Sequence, residues 1–145
     1  MHNVLEINPE EKYVITEPGI TIDNLNQRLK NTNLHFTPDP STKSRANVGG
    51  AMGNNSCGSH SVIYGKTVDQ VREMEVILSD SSKAYFEELS GKRLEDKISL
   101  DNLEGKIYRD VMSMSSKYYD EINAKYSKVN RRVGGYNLDL SLIHI

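Results

Sequence analysis

The stretch Asn47-Val48-Gly49-Gly50-Ala51-Met52-Gly53-Asn54-Asn55-Ser56-Cys57-Gly58 is the most informative part of this 145-residue chain. Its glycines and small polar residues surround only two large apolar side chains, Val48 and Met52. Glycine lets a backbone approach a ligand closely and adopt positive φ without steric cost. Successive N–H groups in such a turn, followed by the start of a helix, form a concave site for anions. The stretch therefore predicts a ligand-binding loop, although a glycine-rich surface turn has the same composition.

Two shorter motifs flank this stretch, Pro38-Asp39-Pro40-Ser41-Thr42 and Tyr64-Gly65-Lys66. The asparagine carboxamides between them supply neutral donors and acceptors that suit the polar edge of a planar heterocycle. A flavin dinucleotide needs such groups together with an anion-binding loop. The glycine spacing does not match the P-loop G-x-x-x-x-G-K-[ST] or the Rossmann G-x-G-x-x-G, so a mononucleotide or NAD fold is not predicted.

Taken in order, the motifs resemble the FAD-linked oxidase family, whose FAD-binding module is of the p-cresol methylhydroxylase (PCMH) or vanillyl-alcohol oxidase type. The nearest branch is the group of glycolate oxidase, D-lactate dehydrogenase and D-2-hydroxyglutarate dehydrogenase. The resemblance covers about residues 1–80, and it resumes at the string 134–139, which closes the same module in longer members. The matching residues are Pro38-Asp39-Pro40-Ser41, Val48-Gly49-Gly50, Asn54-Asn55-Ser56-Cys57-Gly58, Tyr64-Gly65, Asp69, Val71, Glu75-Val76-Ile77-Leu78, Asp80 and Gly134-Gly135-Tyr136-Asn137-Leu138-Asp139.

The resemblance implies that FAD is the cofactor, held by backbone N–H groups toward the diphosphate, small side chains under the ring and amides at its polar edge. The residues expected to line FAD are Pro40, Ser41, Asn47, Val48, Gly49, Gly50, Gly53, Asn54, Asn55, Gly58 and Tyr64. Tyr64 either stacks near the flavin or packs under the loop, and packing is favoured. Lys43 and Arg45 either neutralise the diphosphate or are solvated loop charges.

No catalytic residue is assigned from the sequence. Cys57 is expected to be a small buried filler rather than a nucleophile or a point of covalent flavin attachment. His35 and His60 are expected to be loop histidines. No His, Cys or carboxylate pair has the spacing of metal ligands, so no metal is expected.

The resemblance implies an α+β fold, in which an antiparallel sheet flanked by helices corresponds to the second subdomain of a PCMH-type module. On this basis residues 1–80 form a partial FAD-binding domain, 81–132 a helical insertion and 133–139 the end of the module. Met1 is expected to be an internal methionine. Residues 140–145 leave the family pattern and are expected to be a non-native tail.

Hydrophobic periodicity and turn residues predict the individual elements. A β-hairpin joins Val4–Ile7 to Tyr13–Thr16, and Thr21 caps a helix with a buried stripe of Ile22, Leu25 and Leu29. The other predicted elements are one or two helical turns over Val48–Asn55, a strand over Val71–Leu78, a short helix within Ser81–Ser90, a helix through Leu103, Ile107, Val111 and Met114, and a helix over Tyr118–Tyr126.

The bulk composition limits the partners of the chain. A net charge of −2 and a pI near 6.1 do not indicate the excess of positive charge that is typical of nucleic-acid-binding proteins. No apolar run is long enough for a transmembrane segment. The single cysteine fits a reducing compartment, and the cytoplasm is the expected location.

The resemblance implies a flavin enzyme that oxidises a small 2-hydroxy acid of the glycolate, D-lactate or D-2-hydroxyglutarate type and passes electrons to an acceptor. The second glycine-rich loop of the family, G-x-G-T-S, is absent from this sequence, as is the substrate-binding cap domain. The chain alone is therefore expected to be inactive. Two alternatives stay open: an oxidoreductase of the UDP-enolpyruvoylglucosamine reductase type on the same fold, and a non-catalytic helical interaction module built on Leu103–Tyr126.

Overall fold

The structure, a computed structural model, describes residues 1–129, 131, 132 and 135–140. These residues form two compact units. The first comprises Met1–Val71 with the described residues of 129–132, and the second comprises Arg72–Lys128 with 135–140. Each unit contains helices and its own two-stranded antiparallel sheet. This mixture agrees with the predicted α+β class, but the described residues contain two separate hairpins instead of one sheet flanked by helices.

The first unit begins with the predicted hairpin, formed by β1 (Val4–Asn8) and β2 (Tyr13–Thr16). The strands pair in antiparallel register. The turn closes where the Asn8 side-chain oxygen accepts a hydrogen bond from the Glu11 N–H at 3.0 Å, and Lys12 takes a left-handed conformation with φ of 58°. The side-chain bond lets the asparagine replace a backbone acceptor in the turn, which explains its position there.

Helix α1 (Ile22–Leu29) carries the main core stripe of the first unit. Thr21 Oγ1 caps it by accepting a hydrogen bond from the Asn24 N–H at 3.3 Å. The predicted stripe of Ile22, Leu25 and Leu29 is fully buried, which confirms the helix and its buried face. Ile20 and Val48 join the core cluster, against which the hairpin packs with partly buried side chains.

Three short elements follow in the first unit: α2 (Val48–Gly53), α3 (Ser61–Tyr64) and a 3₁₀ turn (Thr67–Gln70). The helix predicted over Val48–Asn55 is confirmed, and it ends two residues earlier than predicted. Antiparallel bridging fixes its start, because the Val48 N–H donates to the Ile20 carbonyl at 2.9 Å and the Ile22 N–H donates to the Ala46 carbonyl at 3.0 Å.

The second unit begins with β3 (Glu73–Ile77), as predicted, but the segment after it is a strand, β4 (Lys83–Glu87). The helix predicted within Ser81–Ser90 is therefore wrong. Asp80 accepts hydrogen bonds from the Ser82 N–H and hydroxyl, and Ser81 has a φ of 68°. This turn folds the chain back on β3, so the pairing of the two strands overrides the local helical pattern of the aromatic residues.

Three helices complete the second unit: α4 (Gly91–Ser99), α5 (Leu103–Lys117) and α6 (Tyr119–Lys125). The last two confirm the predicted helices. Tyr108, outside the predicted stripe, is buried and contacts the Phe86 ring with centroids 5.6 Å apart. None of the described helices has both the length and the apolar character needed to cross a membrane. The predicted module end at 133–139 is described only from residue 135, and the predicted tail only at Leu140.

Candidate cofactor site

The two principal sequence motifs meet in one open pocket of the first unit. Its volume is about 450 Å³. The lining residues are Asp39, Pro40, Ser41, Lys43, Cys57, Gly58, Ser59 and Arg131. Of the predicted cofactor residues, the structure therefore brings Pro40, Ser41 and Gly58 together.

Gly58 allows this meeting because its backbone lies directly against the Asp39–Pro40 peptide. A Cβ atom at position 58 would lie 2.0 Å from the Asp39 carbonyl oxygen and 2.6 Å from the Pro40 nitrogen. The adjacent Ser59 N–H donates to the same Asp39 carbonyl at 3.3 Å. The glycine that ends the long motif is thus required for close packing of two loops, which sequence reasoning assigned to ligand contact instead.

The Asp39 carboxylate joins the two loops electrostatically. Lys43 Nζ lies 2.8 Å from its Oδ1, the Ser59 hydroxyl donates to its Oδ2 at 3.3 Å, and His60 Nδ1 lies 3.7 Å from Oδ2. The hydrogen bond from Lys43 lowers the pKa of Asp39, and the same bond raises the pKa of Lys43. Lys43 therefore forms an ion pair with Asp39 while its side chain, 44% exposed, stays at the pocket wall.

The N–H groups at the start of α2 are already used inside the chain. Val48 donates to the Ile20 carbonyl at 2.9 Å, Gly49 to the Pro18 carbonyl at 2.8 Å, and Gly50 to the Asn47 side-chain oxygen at 2.7 Å. In the described conformation these three N–H groups are therefore satisfied within the chain. Their acceptors are the Asn47 side-chain oxygen and the backbone carbonyls of Pro18 and Ile20, in the chain that leads into α1.

The glycines of α2 divide into packed and open positions. A Cβ at Gly49 would lie 2.7 Å from Pro18 Cβ, and one at Gly50 would lie 2.9 Å from the capping Asn47 oxygen. A Cβ at Gly53 would meet nothing within 4 Å. Gly50, Gly53 and Asn54 are all exposed, so a ligand can approach the motif at these positions.

Asn55 lies behind this surface and supports the loop. It is buried, has a φ of 50°, and accepts a hydrogen bond from the Val68 N–H at 3.0 Å through Oδ1. Its Nδ2 is buried with no hydrogen-bond partner among the described residues. Thr67 strengthens the connection by donating its hydroxyl to the Ser56 carbonyl at 2.9 Å. Asn55 therefore fixes the exit of α2 onto the 3₁₀ turn.

Tyr64 is more exposed than the favoured packing interpretation predicted. Its relative exposure is 53%, and the preceding Val62 and Ile63 are also exposed. Packing under the loop is therefore wrong for this side chain. The structure explains why the next residue of this motif is a glycine: Gly65 has a φ of 82° and lies against Asp69. The Asp69 carboxylate accepts a hydrogen bond from the Lys66 N–H at 2.7 Å.

The remaining candidates occupy the loops as follows. Cys57 is half-buried at the pocket wall, so it is not a fully buried filler. His35 and His60 are exposed loop residues, as expected, and Arg45 is exposed outside the pocket. Among the described residues, no group of three or more His, Cys, Asp or Glu side chains is placed to hold a metal ion.

Sequence reasoning missed Arg131 completely. It lies outside the matching motifs, and a pair of arginines in a basic segment carries no signal that distinguishes a pocket residue from a solvated charge. Only the fold brings it to the pocket of the first unit.

Comparison with known proteins identifies the family of the chain. The profile of the FAD-binding domain family matches residues 1–83. D-2-hydroxyglutarate dehydrogenases from Pseudomonas putida and Escherichia coli are 34% and 33% identical over 138 residues, which is 95% of this chain and 14% of each relative. The glycolate oxidase subunit GlcD of Escherichia coli is 33% identical over 73 residues, 50% of this chain and 15% of the relative.

The chain belongs to the FAD-binding domain family, and FAD is the cofactor of that family. The chain spans about 14% of the length of the D-2-hydroxyglutarate dehydrogenases that it matches. The described residues fit a part of the cofactor. The pocket offers a hydroxyl at Ser41 and a guanidinium at Arg131 for an anionic group, and Asn54 offers an exposed carboxamide nearby in sequence.

Proposed function

We propose that this chain is the second subdomain of a PCMH-type FAD-binding module within a flavin enzyme that oxidises a small 2-hydroxy acid. The observation that carries the proposal is the contact between the Asp39–Ser41 segment and Gly58 at one pocket. The similarity of nearly the whole chain to D-2-hydroxyglutarate dehydrogenases supports the choice of enzyme class. In this arrangement residues 1–80 belong to the module, 81–132 form an insertion and 133–139 close the module.

The predicted cofactor residues divide into two groups with different tasks. We assign direct contact with FAD to Pro40 and Ser41, which line the pocket, and to the exposed residues Asn47, Gly50, Gly53, Asn54 and Tyr64. The others hold those residues in place from behind, through the packing and hydrogen bonds already described. The supporting residues are Val48, Gly49, Asn55 and Gly58.

When bound, FAD supplies the two-electron acceptor for oxidation of the alcohol carbon of the substrate. This chain contributes binding and orientation: it presents a polar wall to the cofactor and keeps that wall rigid through the Asp39 contacts. The substrate is a small 2-hydroxy acid of the glycolate, D-lactate or D-2-hydroxyglutarate type, and a separate electron acceptor completes the reaction. The single cysteine favours a reducing compartment, and we assign the protein to the cytoplasm.

The test uses a polypeptide extended on both sides to the length of the relatives. We expect it to retain stoichiometric flavin after gel filtration. We also expect its flavin absorbance to bleach on anaerobic addition of D-2-hydroxyglutarate, D-lactate or glycolate, and the substrate that bleaches fastest identifies the class. An extended polypeptide without flavin, or with flavin that none of the three acids reduces, would contradict the proposal.

A further inference from the structure

The charges around the pocket leave one cation uncompensated. Asp39 and Lys43 form an ion pair at 2.8 Å, so their charges cancel locally. Arg131 lines the same pocket, is exposed, and forms no hydrogen bond or ion pair with the described residues. An unpaired guanidinium at a concave surface attracts anions, and its fork of N–H donors matches a phosphate or carboxylate in bidentate fashion.

Neutral donors lie beside this cation. The Ser41 hydroxyl and the Cys57 backbone N–H make no hydrogen bond with the described residues. The Ser59 hydroxyl makes only a long bond of 3.3 Å to Asp39, so it can turn toward a ligand at little cost. One cation and several hydrogen-bond donors around one cavity favour an oxyanion over a neutral or cationic group.

We propose that Arg131, with Ser41 and Ser59, forms an oxyanion subsite in this pocket. The inference rests on the proposed function for the identity of its ligand, which is either the diphosphate of FAD or the carboxylate of the 2-hydroxy acid. Both are oxyanions that a guanidinium binds through two parallel hydrogen bonds. The residue comes from outside the matched region of 1–83, so the family match does not assign it.

The test compares the chain as it stands with Arg131→Gln, Arg131→Lys and a matched control, Arg28→Gln. Arg28 is an exposed arginine of the same unit that does not line the pocket. Inorganic diphosphate and D-2-hydroxyglutarate are titrated separately at low salt, and the amide NMR shifts of Cys57, Gly58 and Ser59 report occupancy. Circular dichroism checks that each variant retains the native helical content.

We expect Arg131→Gln to weaken binding about tenfold or more, because hydrogen bonds from a charged donor are roughly twice as strong as those between neutral groups. Arg131→Lys should recover part of the affinity, and Arg28→Gln should bind like the unmodified chain. Loss for diphosphate alone identifies the cofactor diphosphate as the source, and loss for the hydroxy acid alone identifies the substrate. Equal affinity in Arg131→Gln, or binding of neither probe to the unmodified chain, would overturn the subsite.

The failure of this inference is distinguishable from failure of the proposed function. If the extended polypeptide holds flavin and oxidises a hydroxy acid while Arg131→Gln leaves binding of both probes unchanged, only the subsite is wrong. If the extended polypeptide holds no flavin while oxyanion binding depends on Arg131, the subsite stands and the proposed function fails.

Discussion

Gly58 and Asp39 lie so close that a Cβ atom added to the glycine would be 2.0 Å from the aspartate carbonyl oxygen. The obstacle is backbone, which cannot turn aside as a flexible side chain can. The two loops of the pocket are therefore held at a separation that only glycine permits at position 58. This contact links the Pro-Asp-Pro segment to the end of the glycine-rich motif, and it explains why both occur in one sequence.

Replacing Gly58 by alanine should force the two loops apart and destabilise the first unit by about 1–3 kcal/mol, the usual cost of overpacking. Gly53→Ala is the matched control, because nothing lies within 4 Å of its Cβ position and alanine favours a helix by up to about 1 kcal/mol. Hydrogen exchange of the α1 amides measures both effects. Equal protection in the two variants would contradict the assigned contact.

Asn55 offers a test of two separate contributions at one residue. Asn55→Gly removes the hydrogen bond to the Val68 N–H but tolerates the φ of 50°, whereas Asn55→Ala removes the bond and also strains the backbone. We expect the glycine variant to lose about 1–3 kcal/mol from the unsatisfied N–H. The alanine variant should lose about 1–2 kcal/mol more, from the left-handed conformation. Urea unfolding measures both, and an alanine variant as stable as the glycine variant would show that the backbone is not strained.

Local patterns predicted the hairpin, α1 and α2 of the first unit because each carries its own signal, whereas the short α3 and the 3₁₀ turn were not predicted. The stripe of Ile22, Leu25 and Leu29 and the Thr21 cap determine α1 without help from distant residues. The β4 strand was missed because its pairing with β3 depends on the turn at Asp80–Ser82, which outweighs the helical spacing of its aromatic residues.

Of the predicted cofactor residues, Pro40, Ser41 and Gly58 line the described pocket. The motifs identify which loops meet, whereas the division into accessible and supporting residues depends on hydrogen bonds such as that of the Gly49 N–H with Pro18. Arg131 was beyond prediction because its position at the pocket is a tertiary contact between distant parts of the sequence.

The Asp39–Lys43 pair should make the stability of the first unit depend on acid pH. The pKa of Asp39 is lower in the folded chain than its ordinary value of 3.8, mainly because of the hydrogen bond from Lys43. A carboxylate of this kind stabilises the fold above its unfolded-state pKa and loses that contribution as the pH falls through its folded-state pKa. Asp39→Asn should therefore lower the melting temperature at pH 7.

The difference in melting temperature between the unmodified chain and Asp39→Asn should stay constant from pH 7 to pH 5 and shrink below pH 3.8. Thermal unfolding at a series of pH values measures it. The control is Glu10→Gln, an exposed carboxylate of the same unit, which should leave the curve unchanged. A difference that does not vary with pH would show that the charge of Asp39 contributes nothing.

A partly buried ion pair in the second unit gives a prediction independent of the cofactor. Lys97 Nζ contacts the Glu104 carboxylate, and the side chains are 25% and 10% exposed. Lys97→Met should destabilise this unit by about 2–3 kcal/mol, somewhat below a fully buried pair, because it leaves a buried carboxylate without its partner. Adding Glu104→Gln should recover much of the loss. Urea unfolding followed by helical circular dichroism measures both, and a double variant no more stable than Lys97→Met would contradict the role of the pair.

The chain by itself should not hold FAD tightly, although it belongs to an FAD-binding family. Sites for ligands of this kind cover roughly 70–90% of the ligand surface, whereas the described residues supply one open pocket of about 450 Å³. The sequence also lacks a G-x-G-T-S loop that could enclose the cofactor from the other side. Purified chain should therefore be colourless, and FAD added at micromolar concentration should keep the fluorescence of the free cofactor. A yellow preparation with stoichiometric flavin after gel filtration would contradict this, and would mean that a dimer or an unrecognised segment of the chain supplies the missing wall.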